Sequence, residues 1–594
     1  MFVLPAWSAR CDLPAWALRR LPIAALIAVL LPTLIGFDGP VFPRAWKQVT
    51  ALAGWGLFCL VLMLAARDAV PSRSVGRLRW VNAAFGFLAV GCLVSVGWHG
   101  LPAGFGAASL GFLAAAALCA AVGVRMQQSG LGPVAFRALC EALMAVAVCG
   151  ILIGAVQTFM PNWIDGWFLR DSSAAVRIGG NLSQPNQLAS FIVMAMVALV
   201  WVHEAAEHQP GAALRWRRLG AVVFGMFLGV GLAYTLSRSG AVGVAIVCAW
   251  ALVDRRLSRF SRVLAWTMGA TSALIWPQVY KWWPGKPGEV KQILWERSAE
   301  PSSYRGDLWS NCLDLIRQSP WGGVGWGEFN LAWTLTSFGK RFNQFPDHAH
   351  NLAIQFAVEL GLPASILISA LLLAALGTAF RSARLAMEPD RRVARCALVM
   401  VLVIAFHSLV ELPLWMAFML LPTAFALGLA TGGRSPESEA GRPSVVPTRA
   451  LALGGVLLFA GGVWGATDYV KALHVSNMKD GAPEAAARVF FYRPHAEWLA
   501  DQSIRRPPVE RPFHIMMQLP PVQQVQLFQW SQALAAEGDF ERARYLARLM
   551  KGSSLPEIRR AFAACHEPAA SGVDVPYQCT PPREGVSYAD FQRR

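Results

Sequence analysis

Thirteen apolar runs, each close to the length that crosses a bilayer, punctuate this chain and leave room for few architectures. A hydrocarbon core is about 30 Å thick and takes about 20 helical residues to span. Runs of that kind cover 21–37, 49–66, 80–97, 104–124, 138–158, 188–203, 219–236, 239–253, 263–279, 362–380, 396–411, 414–430 and 450–469. The 594 residues would otherwise suggest several soluble domains. Apolar residues at 55%, charged residues at 15% and a mean hydropathy of +0.42 instead fit an all-α polytopic membrane protein of about 12 to 13 transmembrane helices. The net charge of +17 would point to nucleic acid in a soluble protein. Here most Lys and Arg residues lie in short loops between apolar runs, so orientation in the membrane explains them and no nucleic-acid partner is expected.

With the N-terminus on the cytoplasmic side, each inner loop is Arg-rich. Arg10, Arg19 and Arg20 come first, then Arg67, Arg73, Arg77 and Arg79, then Arg125 and Arg137. Arg215, Arg217 and Arg218 follow, then Arg255, Arg256, Arg259 and Arg262, then Arg381, Arg384, Arg391, Arg392 and Arg395, and last Arg434, Arg442 and Arg449. The turn from Trp98 to Ala103 has no Lys or Arg. This pattern places 280–349, and everything after 470, outside. The first apolar run lacks a small-residue cleavage site and reads as an uncleaved span. The two runs flanking Ser237 are so close that the chain must turn sharply or re-enter the membrane there.

The chain thus divides into a membrane-embedded part, 1–470, with one large outer loop at 280–349, and a soluble tail, 471–594. Gly432, Gly433, Ser435, Pro436, Pro443 and Pro447 mark 431–449 as a loop. In the tail, Phe528 to Leu549 reads as helix, Gly-containing turn and helix, like one tetratricopeptide hairpin. One such repeat cannot bury its own face and must pack on other helices, as a structural cap or as a docking surface. Most of the eleven cysteines sit singly in apolar runs. Cys565 and Cys579 lie in the polar tail and can pair if that region is extracytoplasmic. No CxxC or HExxH motif is present.

Several polar constellations lie on the outer face. Arg170, Arg177, Arg238, Arg297, Arg305, Arg317, Lys340 and Arg341 run against the orientation bias, which invites a functional reading. In 177–189, Gly179 and Gly180 allow close backbone approach, and Pro185 suits a helix start. Asn181, Gln184 and Asn186 offer neutral amides of the kind that bind sugar hydroxyls, although a capped helix entry would use the same residues. Arg238, in Ser237-Arg238-Ser239, needs an anionic partner or must snorkel, and its fork matches phosphate. Leu308, Cys312, Leu315 and Ile316 predict an amphipathic helix that Arg305 would begin; the Gly-rich stretch 319–328 after it is no P-loop.

The densest chemistry is Asp347-His348-Ala349-His350-Asn351, where the outer loop ends and a new apolar helix begins. An imidazole can take a proton from a hydroxyl near neutral pH. With a helix starting here, only one of the two rings is expected at the centre, and His350 is the better fixed. Asp347 is a candidate to orient an imidazole. A metal site lacks a clear third ligand. Glu411, at the turn between two runs, is expected to pair with an Arg.

These motifs in this order resemble the bacterial O-antigen ligase and polymerase superfamily, and within it the protein O-oligosaccharyltransferases. Gly180-x3-Gln184-Pro185-Asn186-x2-Ala189 is the piece most particular to that branch. His350-Asn351 with Glu359-Leu360-Gly361, and Arg238 in its Ser-Arg-Ser setting, are shared more widely. Near Glu411 the family often carries a tyrosine, where this chain has Leu412 and Met416. The resemblance implies an inner-membrane enzyme facing the periplasm, with 1–470 as its catalytic part. It would move a preassembled glycan en bloc from undecaprenyl pyrophosphate to Ser or Thr of periplasmic or pilin-like proteins, with inversion, no cofactor and no metal. His350 would be the general base, with Asp347 and His348 beside it. Arg177, Arg238 and Arg305 would hold the pyrophosphate. Gln184, Asn186, Asn181, Asn351 and Glu411 would contact sugar or acceptor. Ligation to lipid A core or O-antigen polymerisation are the alternatives within the superfamily. A lipid-linked glycan flippase is the alternative outside it, but that would want charges deep in the spans.

Overall fold

The computed structural model describes residues 15–37, 44–67, 78–170, 177–206, 212–284, 305–338, 346–434, 447–478, 480–501, 520–551, 555–563, 565, 575–583 and 585–591. Arg297, Lys340 and Arg341 lie outside this set. The regular structure of the described residues is helical, with no strand among them. The membrane part opens with α1 (Ala15–Val29), α2 (Leu31–Leu34), α3 (Ala45–Ala65), α4 (Arg79–Trp98), α5 (Ala103–Gln128) and α6 (Gly132–Phe159). It continues with α7 (Pro185–Ala206), α8 (Ala212–Tyr234), α9 (Arg238–Val253), α10 (Arg259–Ile275) and α11 (Val279–Trp282). The loop helices are α12 (Arg305–Gln318) and α13 (Phe329–Leu335). They are followed by α14 (Leu352–Leu385), α15 (Asp390–His407), α16 (Ala417–Thr431) and α17 (Thr448–Val475). The tail contributes α18 (Ala482–Ala487), α19 (Arg493–Asp501), α20 (Pro520–Ala536), α21 (Phe540–Met550) and α22 (Pro556–Ala563).

Helices cover most of each of the thirteen apolar runs. Among the described residues, eight helices, α3 to α8, α14 and α17, are long and apolar enough to cross a membrane. The chain is therefore an all-α, multi-pass membrane protein. The short α9 rises only about 24 Å at about 1.5 Å per residue. It follows α8 across the sharp turn expected at Ser237, whose hydroxyl caps α9 by accepting from the Gly240 N–H at 3.1 Å.

Nearly every side chain of α7 is buried, as expected of a helix apolar on all sides and placed at the middle of a bundle. Its N-terminus, Pro185-Asn186, therefore emerges at the centre of one end of the bundle. Small residues let neighbouring helices close up where lipid supplies no hydrophobic drive. On α17, a Cβ at Gly462 would stand 2.5 Å from the Ala53 nitrogen of α3. On α16, a Cβ at Gly428 would stand 2.1 Å from the Ala120 carbonyl oxygen of α5.

The two ends of the bundle differ chemically. At the Arg-rich end, Asp390 pairs with Arg434 at 2.7 Å and Asp254 with Arg395 at 2.9 Å. Gln127 there donates to the carbonyls of Asp390 and Leu429 at 3.1 and 3.0 Å. The other end gathers the N-termini of α3, α7, α9, α14 and α16, together with the loop helices. Leu308, Cys312, Leu315 and Ile316 are the buried face of α12, as their spacing predicts. They share one core with Phe329 and Trp333 of α13 and with Leu527, Trp530, Leu534, Leu546 and Met550 of the tail hairpin. The hairpin thus packs on the loop helices, and the Tyr545 hydroxyl donates to the Leu335 carbonyl. Cys565 and Cys579 form a disulfide with Cα atoms 5.2 Å apart.

Candidate active site

The site grows from an irregular piece of backbone. Residues 346–351 stay out of helix, and α14 begins only at Leu352. Asn351 caps it, its side-chain oxygen accepting from the N–H groups of Ala353 and Ile354 at 3.0 and 3.1 Å. His350 adopts φ +50°, a left-handed conformation that side chains rarely take. The reversal turns both imidazoles to one side, with ring centroids 4.1 Å apart. The expectation of a single central histidine is thereby corrected: with no helix across 348–350, the two rings do not diverge.

Both rings face Glu411, in the turn between α15 and α16. Glu411 Oε2 lies 2.6 Å from His350 Nδ1 and 4.0 Å from His348 Nε2. Glu411 Oε1 accepts from Arg305 Nη2 at 2.9 Å and from Asn186 Nδ2 at 3.3 Å. The expected Glu411–Arg pair is present, with Arg305 beginning α12 as the sequence suggested. Asn186 forms the next shell. Its oxygen accepts from Arg177 Nη2 and from the Ser237 hydroxyl, both at 2.8 Å. Arg177 Nε also donates to the Thr235 carbonyl at 2.8 Å. One hydrogen-bonded network thus joins α7, the α8–α9 turn, α12, 348–350 and the α15–α16 turn.

Burial alone would raise the Glu411 carboxyl, but the two imidazoles and the Arg305 guanidinium that face it hold it well below the usual carboxylate range. Burial would likewise lower His348, yet the carboxylates of Asp347 and Glu411 outweigh it and push the imidazole up to about 10. The two histidines differ in their partners. His348, with Nδ1 on Asp347, is a cation near neutrality. His350 Nδ1 donates to Glu411, which leaves Nε2 as the ring nitrogen turned away from that carboxylate. Asp347 orients His348 and not His350; the partner of His350 comes from Glu411, 61 residues away. The Glu411 contacts also supply the third ligand that the sequence lacked: His348, His350 and Glu411 offer atoms within 4.8 Å of one another, a set able to hold a metal ion. Arg305 already neutralises the same carboxylate, which works against a second cation there.

The remaining expected contacts fall in different places. Asn181 is buried, its nitrogen donating to the carbonyls of Leu34 and Phe168 at 2.7 Å each, so it braces the wall and has no amide left for a sugar. Asn351 is the α14 cap and donates to the Leu409 carbonyl at 2.9 Å. Glu411 is likewise occupied by protein groups. Gln184 is half-buried, and its side-chain oxygen accepts from the Asn186 N–H at 3.3 Å. Arg238 is exposed at the start of α9, beside Ser237. Of the two positions where relatives often hold tyrosine, Leu412 is buried and the Met416 sulfur lies 3.5 Å from Gln48 Nε2.

Sequence reasoning missed Arg44 and Lys47 on the first turn of α3. Arg44 interacts electrostatically with Asp347 and Glu411, and Lys47 is fully buried beside it. Gln48 ties the same turn to the Glu411 loop, donating to the Trp415 carbonyl at 3.1 Å and accepting from the Ala417 N–H at 2.5 Å. The available signal was two cations in an outer turn that should be poor in them.

The chain is thus an all-α multi-pass membrane protein with a histidine–carboxylate–arginine cluster at one end of its bundle. In comparison with known families, residues 221–369 match the family described as O-antigen ligase and 178–203 match protein glycosylation ligase. Residues 396–544 match virulence factor membrane-bound polymerase, C-terminal. A general O-oligosaccharyltransferase of Acinetobacter baylyi is 25% identical over 331 residues, covering 54% of each chain. A ComP-specific O-oligosaccharyltransferase of the same organism is 24% identical over 278 residues, covering 45% of this chain and 46% of the relative. The matches thus span about half the length of these relatives. The resemblance is to the O-antigen ligase superfamily, and within it this chain is most like the protein O-oligosaccharyltransferases.

Proposed function

We propose that this chain is a protein O-oligosaccharyltransferase of the bacterial inner membrane. It moves a preassembled glycan from undecaprenyl pyrophosphate to a Ser or Thr hydroxyl on the periplasmic side. The observation that carries this reading is the Glu411–His350 pair flanked by Arg305. His350 Nε2 accepts the hydroxyl proton as the acceptor oxygen attacks the anomeric carbon. The bond from that carbon to the pyrophosphate oxygen breaks, the configuration inverts, and the lipid pyrophosphate leaves with the negative charge.

Arg305, Arg44 and Arg238 stabilise that charge, as guanidinium forks match phosphate oxygens and stay protonated. No metal is required, since the guanidinium groups do the work of a cation. His348 adds positive charge, while Asn186 and Arg177 fix Glu411 and Gln184 faces the sugar or acceptor. Two features support the orientation: the Arg-rich end lies opposite the site, and the tail that packs on the loop helices carries a disulfide, which favours an oxidising compartment. In domain terms, 1–470 performs the chemistry, and the tail, 471–594, buttresses the loop helices.

The matches to O-antigen ligase and to a polymerase C-terminal region favour, as second reading, transfer to lipid A core or to another glycan. Reconstituting the full chain with a lipid-linked glycan and two competing acceptors, a pilin-like protein and lipid A core, tests both. Modification of the protein is expected; exclusive transfer to lipid would replace the first reading by the second. His350→Ala is expected to abolish transfer while the protein remains folded in the membrane, and full activity in that variant would remove the assignment of the base.

A further inference from the structure

The Gly-rich stretch 319–328 and the Glu359-Leu360-Gly361 motif have no part in the chemistry above, yet the structure joins them to it. The α14 helix kinks at Gly361, where φ is +82° and ψ +165°. The Gly-rich turn meets the opened backbone. Val324 N–H donates to the Val358 carbonyl at 2.8 Å, Gly325 N–H to that of Glu359 at 2.9 Å, and Leu362 N–H to that of Pro320 at 2.8 Å. A Cβ at Gly323 would stand 2.4 Å from the Glu359 carbonyl carbon, and one at Gly361 2.3 Å from the Trp321 carbonyl oxygen. This close fit points the Gly327 and Phe329 N–H groups at the Glu359 carboxyl.

From there a relay of side chains runs to the histidines. Gln355 Nε2 donates to Glu359 Oε1 at 2.9 Å, and Gln355 Oε1 accepts from the Ala349 N–H, between the two histidines, at 2.8 Å. Gln355 is 1% exposed and Glu359 2%, so neither reaches substrate. The neighbouring backbone is held too: Trp309 Nε1 donates to the Ala349 carbonyl at 2.9 Å and Asn330 Nδ2 to that of Pro346 at 2.8 Å. Among the described residues, the Gln355 bond is the one that holds the Ala349 N–H, next to the left-handed residue that lays His350 Nδ1 on Glu411.

We infer that Gln355 and Glu359 are positioning residues, which hold His350 in register with Glu411 through the Ala349 N–H. Glu359 fixes which end of the Gln355 amide faces Ala349. The inference rests on reading His350 as the base.

The test uses the full-length protein in liposomes with a lipid-linked glycan and an acceptor protein. Gln355→Met keeps the buried volume and removes both hydrogen bonds. It is expected to lower kcat by about 100-fold, the scale of loss for a displacement near 1 Å. KM for the lipid-linked donor should stay within about twofold, because the arginines are untouched. Glu359→Gln keeps an acceptor oxygen for Gln355 and is expected within about fivefold of wild type, whereas Glu359→Leu should resemble Gln355→Met. Wild-type kcat in Gln355→Met, or a loss residing wholly in KM, overturns the inference. So does a Glu359→Gln variant as inactive as Glu359→Leu, a comparison that stands even if Gln355→Met does not fold. Full activity in His350→Ala sinks the reading of the base and this inference together. An inactive His350→Ala beside a fully active Gln355→Met sinks the inference alone.

Discussion

Glu411 is the most connected side chain of the site, with Arg305 and Asn186 on one oxygen and His350 and His348 near the other. Removing its charge should cost more than removing that of Asp347, which pairs with His348 and is largely exposed. Glu411→Gln is expected to slow transfer by about 10²- to 10⁴-fold, the range of a positioned acid–base group. Asp347→Asn should cost about tenfold or less; single-turnover rates on a preloaded donor compare the two. Arg305→Lys should also impair transfer, because an ammonium cannot form the guanidinium fork; unaltered turnover would mean that Arg305 serves only as a partner for Glu411. His348 gives a pH signature. Its folded value, about 10, lies above the unfolded value near 6.5. The stability that its ion pairs contribute is therefore fully present below about pH 6.5 and is lost as pH rises through about 10. The Tm difference between wild type and His348→Gln, read in detergent, should shrink across that window; a constant difference would show that His348 is not held as a cation.

Among elements, the kinked α14 carries the most specific demand on sequence. Gly361 and Gly323 combine positive φ with backbone atoms closer than 2.5 Å to any added Cβ. Gly361→Ala or Gly323→Ala should therefore destabilise the protein by about 2 kcal/mol or more. Gly377 lies on the same helix with nothing within 4 Å of its Cβ position. Gly377→Ala should be neutral or stabilising by up to about 1 kcal/mol. Thermal unfolding of the three variants in one detergent checks the contrast. The elements themselves were legible, since helices cover most of each apolar run and the spacing of Leu308, Cys312, Leu315 and Ile316 marks the buried face of α12. The backbone of 346–351 was not. Periodicity reports repeating structure, and a single left-handed residue such as His350 has no period.

For the molecule as a whole, the tail hairpin shares its core with the loop helices that carry Arg305 and hold the histidine segment. The disulfide closes a loop across 14 residues, for which chain entropy gives about 3 kcal/mol. Cys565→Ser should make the tail more sensitive to limited proteolysis while leaving the membrane helices protected, and equal protection in both forms would deny the disulfide that role. The class was legible from the residues alone, because hydrocarbon admits only backbone that satisfies its own hydrogen bonds, and thirteen apolar runs leave one way to do so. So were the chemical types at the site, since imidazole, carboxylate and guanidinium stand out where lipid excludes most polar groups. The pairings came from the packing of the fold: Glu411 with His350, Asp347 with His348, Arg177 with Asn186 and Asn181 with the wall. Partners 61 or 106 residues apart along the chain meet through the packing of separate helices, which no local pattern encodes.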